Sequence, residues 1–164
     1  MKKFLLMLLA ACLLIFAACS NEKASEDNNK EDKKAKEEQE LKEIRGELLS
    51  YQAALNKLIY AVDGKFANLL DSAEKEDYTA KQAVEEFNKA VDELPIPEKL
   101  SEQKEDIQKA LEDLKAFMNK KAEIIESGGS DFADAQPLRE AFVEKMTAVF
   151  NSIELAVPDF SSIL

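Results

Sequence analysis

Between Leu41 and Ala73 apolar residues recur at alternating steps of three and four: Leu41, Ile44, Leu48, Tyr51, Leu55, Leu58, Val62, Phe66, Leu69 and Ala73. At 3.6 residues per turn that spacing draws one stripe along a helix, sustained for about four heptads. A sheet, whose side chains alternate faces with period two, has no use for such a pattern. The stretch commits the chain to packing helix against helix. Ile59 and Leu70 widen the stripe beyond a two-stranded seam and point to a bundle. Gly46 and the Asp63-Gly64 pair each weaken a helix by about 1 kcal/mol relative to alanine. The phase nevertheless holds from Val62 to Phe66, so a continuous first helix is expected from Ala35 to Ala73.

Three more helices follow from the same kind of reading. Thr79-Ala80-Lys81-Gln82 fits a capping box, with Thr79 as N-cap, and Val84, Phe87, Val91 and Leu94 form the apolar edge behind it. Leu94-Pro95-Ile96-Pro97 ends that helix, because each proline drives the residue before it out of the α region. Two extended residues in succession favour a reversal of direction over a kink. A third helix is expected from Glu98 to Glu126 on Leu100, Ile107, Leu111, Leu114, Met118, Ala122 and Ile125, with Phe117 and Ile124 broadening its face. Ser127-Gly128-Gly129-Ser130 stops it, with a glycine for the left-handed C′ position. Pro137 suits a first turn, and a fourth helix runs to Val157 on Leu138, Phe142, Met146, Val149, Ile153 and Ala156. The tail Asp159-Phe160-Ser161-Ser162-Ile163-Leu164 is apolar enough to dock on the body. The expected fold is all-α, an antiparallel up-and-down four-helix bundle with a long first helix. Its alternative is a three-helix bundle whose second member is a proline-broken rod.

Composition narrows the chemistry. The chain of 164 residues carries a net charge of −11, with no histidine, no tryptophan and two cysteines, Cys12 and Cys19. So acidic a surface is repelled by nucleic-acid phosphates and by anionic lipid headgroups. The lack of histidine rules out Ser-His-Asp and Cys-His nucleophilic systems and the usual zinc or copper sites. No catalytic residues are assigned, no cofactor is implied, and the chain reads as a non-enzyme. Carboxylates are what remain. Asp71, Glu74, Glu76 and Asp77 fall at the end of the first helix and Asp131 and Asp134 precede the fourth, a set that could offer oxygens to a hard cation if the two groups met. They show no EF-hand spacing, and solvated faces are the ordinary fate of such acids.

The N-terminus points to a membrane. Lys2 and Lys3 precede an apolar run from Phe4 to Ala18, about 22 Å as a helix and so shorter than a hydrocarbon core of about 30 Å. A secretory segment fits that length better than a permanent span. The run ends in Phe16-Ala17-Ala18-Cys19, which resembles the lipobox of a bacterial lipoprotein signal peptide. The resemblance implies lipidation of Cys19, cleavage before it to remove residues 1–18, and a diacylglyceryl anchor on the extracytoplasmic face of the cell membrane. Leu9-Ala10-Ala11-Cys12 matches the pattern better at its first position, but cleavage there leaves a very short apolar run and exposes Leu13-Leu14-Ile15-Phe16. Residues 19–34 are almost wholly polar and read as a disordered acidic tether, about 20 Å across as a coil. Residues 35–164 form the helical domain.

In outline the chain resembles small uncharacterised helical lipoproteins of low-GC Gram-positive bacteria, where a lipobox signal and an acidic tether lead into a bundle. That likeness implies a location and carries no activity. The functional expectation is therefore a protein-interaction or accessory module of the cell envelope, anchored through Cys19, with another envelope protein as partner. A small-ligand or cation-binding lipoprotein, or a passive surface spacer, are the alternatives. Tyr51 and Tyr60 fall on different faces of the first helix, one suited to the core and one to a partner.

Overall fold

A computed structural model describes the backbone of residues 2–71, 78–160 and 164 and the side chains of residues 33–71, 78–160 and 164. The signal segment, Cys19 and most of the expected tether fall outside the described side chains, as do Ala73 and the acids Glu74, Glu76 and Asp77. Among the described residues all regular structure is helical. The α-helices are α1 (Lys2–Asp71), α2 (Ala80–Glu93), α3 (Lys104–Glu126) and α4 (Gln136–Ser152), with 3₁₀ turns at Glu98–Leu100 and Ala133–Ala135. The chain divides into two units, Met1–Lys42 and Glu43–Leu164. In the first, the described side chains are exposed apart from a half-buried Leu41.

In the second unit the apolar stripes make the core. α1 buries Leu48, Tyr51, Leu55, Ile59, Val62 and Phe66. The middle of the expected stripe is buried, while Leu41, Ile44 and Leu69 towards its ends are only half so; within the middle one step differs, where Ile59 is fully buried and Leu58 half-buried. Two adjacent apolar residues left that choice to packing, and the inward direction of α1 lies closer to Ile59. α1 passes through Asp63-Gly64 without a break. α2 opens on Thr79 as the capping box requires: the Gln82 amide donates to Thr79 Oγ1 at 3.2 Å, and the Thr79 amide to Gln82 Oε1 at 2.8 Å. Its inward edge is Val84, Phe87 and Val91.

The chain turns back after Leu94. Lys81 meets Glu126, Asn88 meets Asn119 and Asp92 meets Lys115, so the partners on α2 and α3 run in opposite order. The third helix starts later than expected, because Glu98–Leu100 tightens into a 3₁₀ turn before α3 begins at Lys104. α3 ends in a Schellman motif: Gly129 N–H donates to Ile124 O and Gly128 N–H to Ile125 O, both at 2.9 Å, with Gly128 at φ +81°.

α4 corrects an expectation. It stops at Ser152 rather than Val157. The same Schellman pattern recurs there, with Leu155 N–H on Phe150 O and Glu154 N–H on Asn151 O, each at 3.0 Å. Here the left-handed residue is Glu154, at φ 53°, which costs about 1 kcal/mol more than a glycine would. Arg45 compensates from α1, its Nε donating to Ile153 O at 2.8 Å and its guanidinium pairing with Glu154 at 3.3 Å. A cation on the last carbonyls of a helix also favours the end of its dipole. The tail then docks through Phe160, 3 % exposed and edge-on to Phe142 and Phe150 at 5.8 and 6.1 Å between ring centroids.

Candidate functional site

From Leu49 onward the exposed side of α1 is less charged than those of α2 and α3; the exposed residues of α4 carry only Glu140 and Glu144 as charges. From Leu49 to Leu70 the exposed residues of α1 are Leu49, Ser50, Ala53, Lys57, Tyr60, Ala61, Gly64, Ala67, Asn68 and Leu70, of which only Lys57 is charged. On α3 all exposed residues except Gln108 and Asn119 are charged, and on α2 all except Gln82. In a chain where charged residues make up 34 %, a gap of this length is a departure from the prevailing surface. Tyr60 is 56 % exposed, Leu49 50 % and Leu70 42 %.

The other two charges of this stretch are paired, Asp63 towards the interior and Lys65 at the surface. Asp63 pairs with Lys121 at 2.5 Å. Lys65 donates to the Tyr78 hydroxyl at 3.0 Å and to the Glu86 carboxylate, which also accepts from the Tyr78 hydroxyl at 2.8 Å. The hydrogen bonds from Lys65 and then Tyr78 lower the Glu86 pKa, and those same contacts, Glu86 first, raise that of Lys65. Apart from Lys57 and the paired Lys65, what α1 leaves outside over this stretch is small, apolar or neutral. Gly46, Leu49, Ala53, Tyr60, Gly64 and Ala67 are spaced so that they share one stripe of the helix. A methyl group added at Gly46 or Gly64 would meet nothing within 4 Å.

The two tyrosines separate as their positions on α1 require. Tyr51 is 3 % exposed, its hydroxyl has no hydrogen-bond partner among the described residues, and desolvation pushes its pKa up to about 12. Tyr60 stands outside. Of the acidic candidates, Asp71, Asp131 and Asp134 are exposed, and Asp131 accepts a hydrogen bond from the Ala133 amide at 3.0 Å. No cluster of three carboxylates forms among the described residues.

Sequence reasoning missed one interior group. Lys121 is nearly buried, and its ammonium lies 5.3 Å from the ring centres of Phe117 and Phe132 and 5.5 Å from that of Phe66. Three ring faces and the Asp63 carboxylate take the place of the water that the cation gives up. The signal was present: Lys121 follows Met118 by three residues, on the apolar stripe itself. A groove of about 600 Å³ between α2 and α3 is the largest of the open grooves described, lined by Val91, Leu94, Ile96 and Leu111 beneath Lys104 and Lys115. Lys115 is already engaged by Asp92 at 2.7 Å.

No family model matches the chain, and no curated protein or solved structure is similar to it.

Proposed function

We propose that this chain is a lipid-anchored, non-enzymatic interaction module of the cell envelope that presents the outer face of α1 to a protein partner. The observation that carries the reading is the absence of charge on that face, broken only by Lys57, in a chain of net charge −11. A neutral strip holding Leu49 and Tyr60 loses little hydration on docking, whereas the charged faces of α2 and α3 would have to be desolvated. Tyrosine is also among the side chains that contribute most at interfaces.

The scaffold in this proposal is an antiparallel up-and-down four-helix bundle. The reversed order of contacts between α2 and α3 supports it. So does the common order between α1 and the third segment, where Glu43 meets Lys99 and Asp63 meets Lys121. In this reading the anchor rests on the Phe16-Ala17-Ala18-Cys19 pattern, which supports an extracytoplasmic location for the module.

Two measurements test the whole. Cys19→Ala should remove the lipid mass from the N-terminus and leave residues 1–18 attached; a parent chain that carries no lipid and begins at Met1 would defeat the anchor. A benzophenone crosslinker at residue 60 should capture a protein in cells, while the same probe at Glu112 on α3 should not. Equal capture from both positions would remove the special status of α1.

A further inference from the structure

We infer that residues 153–160 form a strap with two arrangements, and that Arg45 of α1 selects the one seen here. Local and distant instructions conflict in this segment. Nothing in the neighbouring sequence stops α4 at Ser152. Residues 153–157 contain no glycine or proline, and Glu154, Leu155 and Ala156 accept a helix readily. Ile153 and Ala156 continue the stripe of Met146 and Val149. The first obligatory stop is Pro158, which drives Val157 out of the α region. The helix nevertheless ends before that point, on a Glu154 held at φ 53°, a conformation that costs a residue with a Cβ about 1 kcal/mol.

Two tertiary contacts oppose continuation, one at each end of the strap. At the first, Arg45 Nε donates to the Ile153 carbonyl at 2.8 Å and the guanidinium pairs with Glu154 at 3.3 Å. In a continued helix that carbonyl turns along the axis into the backbone ladder, and both contacts are given up. At the second, Phe160 is buried edge-on to Phe142 and Phe150. Between its ends the strap packs loosely. An open groove of about 510 Å³ is lined by Val143 and Thr147 of α4 on one side and by Val157 and Pro158 of the strap on the other.

The two contacts stand or fall together. Phe142 precedes Ala156 by 14 positions, about 21 Å along a helix. The four residues from Ala156 to Phe160 span about 14 Å at full extension, and less once the chain has turned back. A continued α4 therefore draws Phe160 away from Phe142 and bares the rings of Phe142 and Phe150 together with Val143 and Thr147. The strap thus links the placement of α1 at Arg45 to the exposure of an apolar surface on α4, through a segment with two discrete packings.

The test places 4-fluorophenylalanine at residue 160 of the full chain in mild detergent. Its ¹⁹F signal separates a ring packed against Phe142 and Phe150 from one in water, and Cα shifts read the conformation of residues 153–156. The parent should show the packed ring; a parent ring mostly in water would refute the strap at once. Arg45→Ala should raise the ratio of released to packed ring roughly tenfold, because a charge-assisted hydrogen bond is lost, and residues 153–156 should gain helical shifts. An unchanged ratio overturns control by Arg45. Coil-like shifts in the released form overturn the second arrangement, since the tail would then merely be loose. Adding Glu154→Gly to Arg45→Ala should restore the packed ring, whereas adding Glu154→Ala should not. Should Arg45→Ala unfold the chain, the single variants at the exposed Glu154 decide: alanine should release the ring and glycine should keep it packed. Equal responses to the two would overturn the left-handed turn as the pivot.

Discussion

The two sides of α1 are built from one stretch of sequence under opposite rules. Inward, Leu48, Leu55, Ile59, Val62 and Phe66 are closed off by the rest of the chain, and even the charge on that side, Asp63, is bonded to Lys121. Outward, Leu49, Ala53, Tyr60, Gly64 and Ala67 touch water and carry no charge. Helices α2 and α3 show the usual division, an apolar edge against a charged one. α1 lacks the second half of it. Stability accounts for the inward residues and for nothing on the outward side, so substitutions should separate the two faces by magnitude and by kind.

The largest expected effect is on the inward face. Ile59→Ala removes a fully buried side chain and should cost about 2–5 kcal/mol in urea unfolding, depending on how far the surrounding side chains relax. A cost below about 1 kcal/mol would mean that the face is not closed. Next comes Asp63→Ala, which leaves the Lys121 ammonium among three rings without its carboxylate. Asp63 is 29 % exposed, which discounts a fully buried pair to about 2 kcal/mol. Lys121→Met should cost less than Asp63→Ala, because it withdraws the buried charge itself and leaves Asp63 access to water.

Glycines give the third contrast, and its sign changes with place. Gly64→Ala should stabilise the fold by about 1 kcal/mol, since the helix gains and no neighbour is crowded. Gly128→Ala should destabilise by about as much, because its φ of +81° suits a residue without Cβ. Equal signs would break the distinction between a glycine kept for the fold and one that the fold does not need.

Much of this was legible before any coordinates. The stripe on α1, the Thr79 capping box and the glycine stop after α3 follow from local rules, because the residues that set each feature are neighbours in sequence. The end of α4 was not legible. Glu154 adopts a glycine-like conformation with support from Arg45, more than a hundred residues away, and no window of sequence contains both. Lys121 was hidden for a related reason: its partners come from α1, from its own helix and from the turn before α4. The choice of Ile59 over Leu58 depends on where α2 and α3 sit. Tyr60 could be assigned to an outer face from helical phase alone, but the lack of charge around it emerges only once burial sorts exposed residues from covered ones.

Tyr51→Phe measures the inward face with a group that water would otherwise reward. The hydroxyl is buried without a partner among the described residues, so its removal should leave stability at pH 7 equal or improved by up to about 1 kcal/mol. The pH dependence carries a definite sign. Burial raises the folded-state pKa from 10.0 to about 12, so above pH 10 the unfolded chain releases this proton before the folded one does. The contribution is intact below pH 10 and is lost as pH rises through about 12. The phenylalanine variant should show a shallower alkaline loss over that window; an identical profile would mean that the hydroxyl reaches water.

Tyr60 is the counterpart, with the smallest effect on the fold and the largest on association. Its ring is more than half exposed, and exposed substitutions of this kind shift stability by less than about 0.5 kcal/mol. Tyr60→Lys should therefore melt with the parent, while its ammonium introduces a hydrated charge on the neutral strip proposed to meet a partner. With a benzophenone crosslinker at residue 53, the parent should capture a protein in cells and the variant much less of it. Tyr60→Phe should retain most of the capture, because the ring keeps its apolar contact area. Loss of folding in Tyr60→Lys would mean that this face serves the core after all, and the difference between the two sides of α1 would disappear.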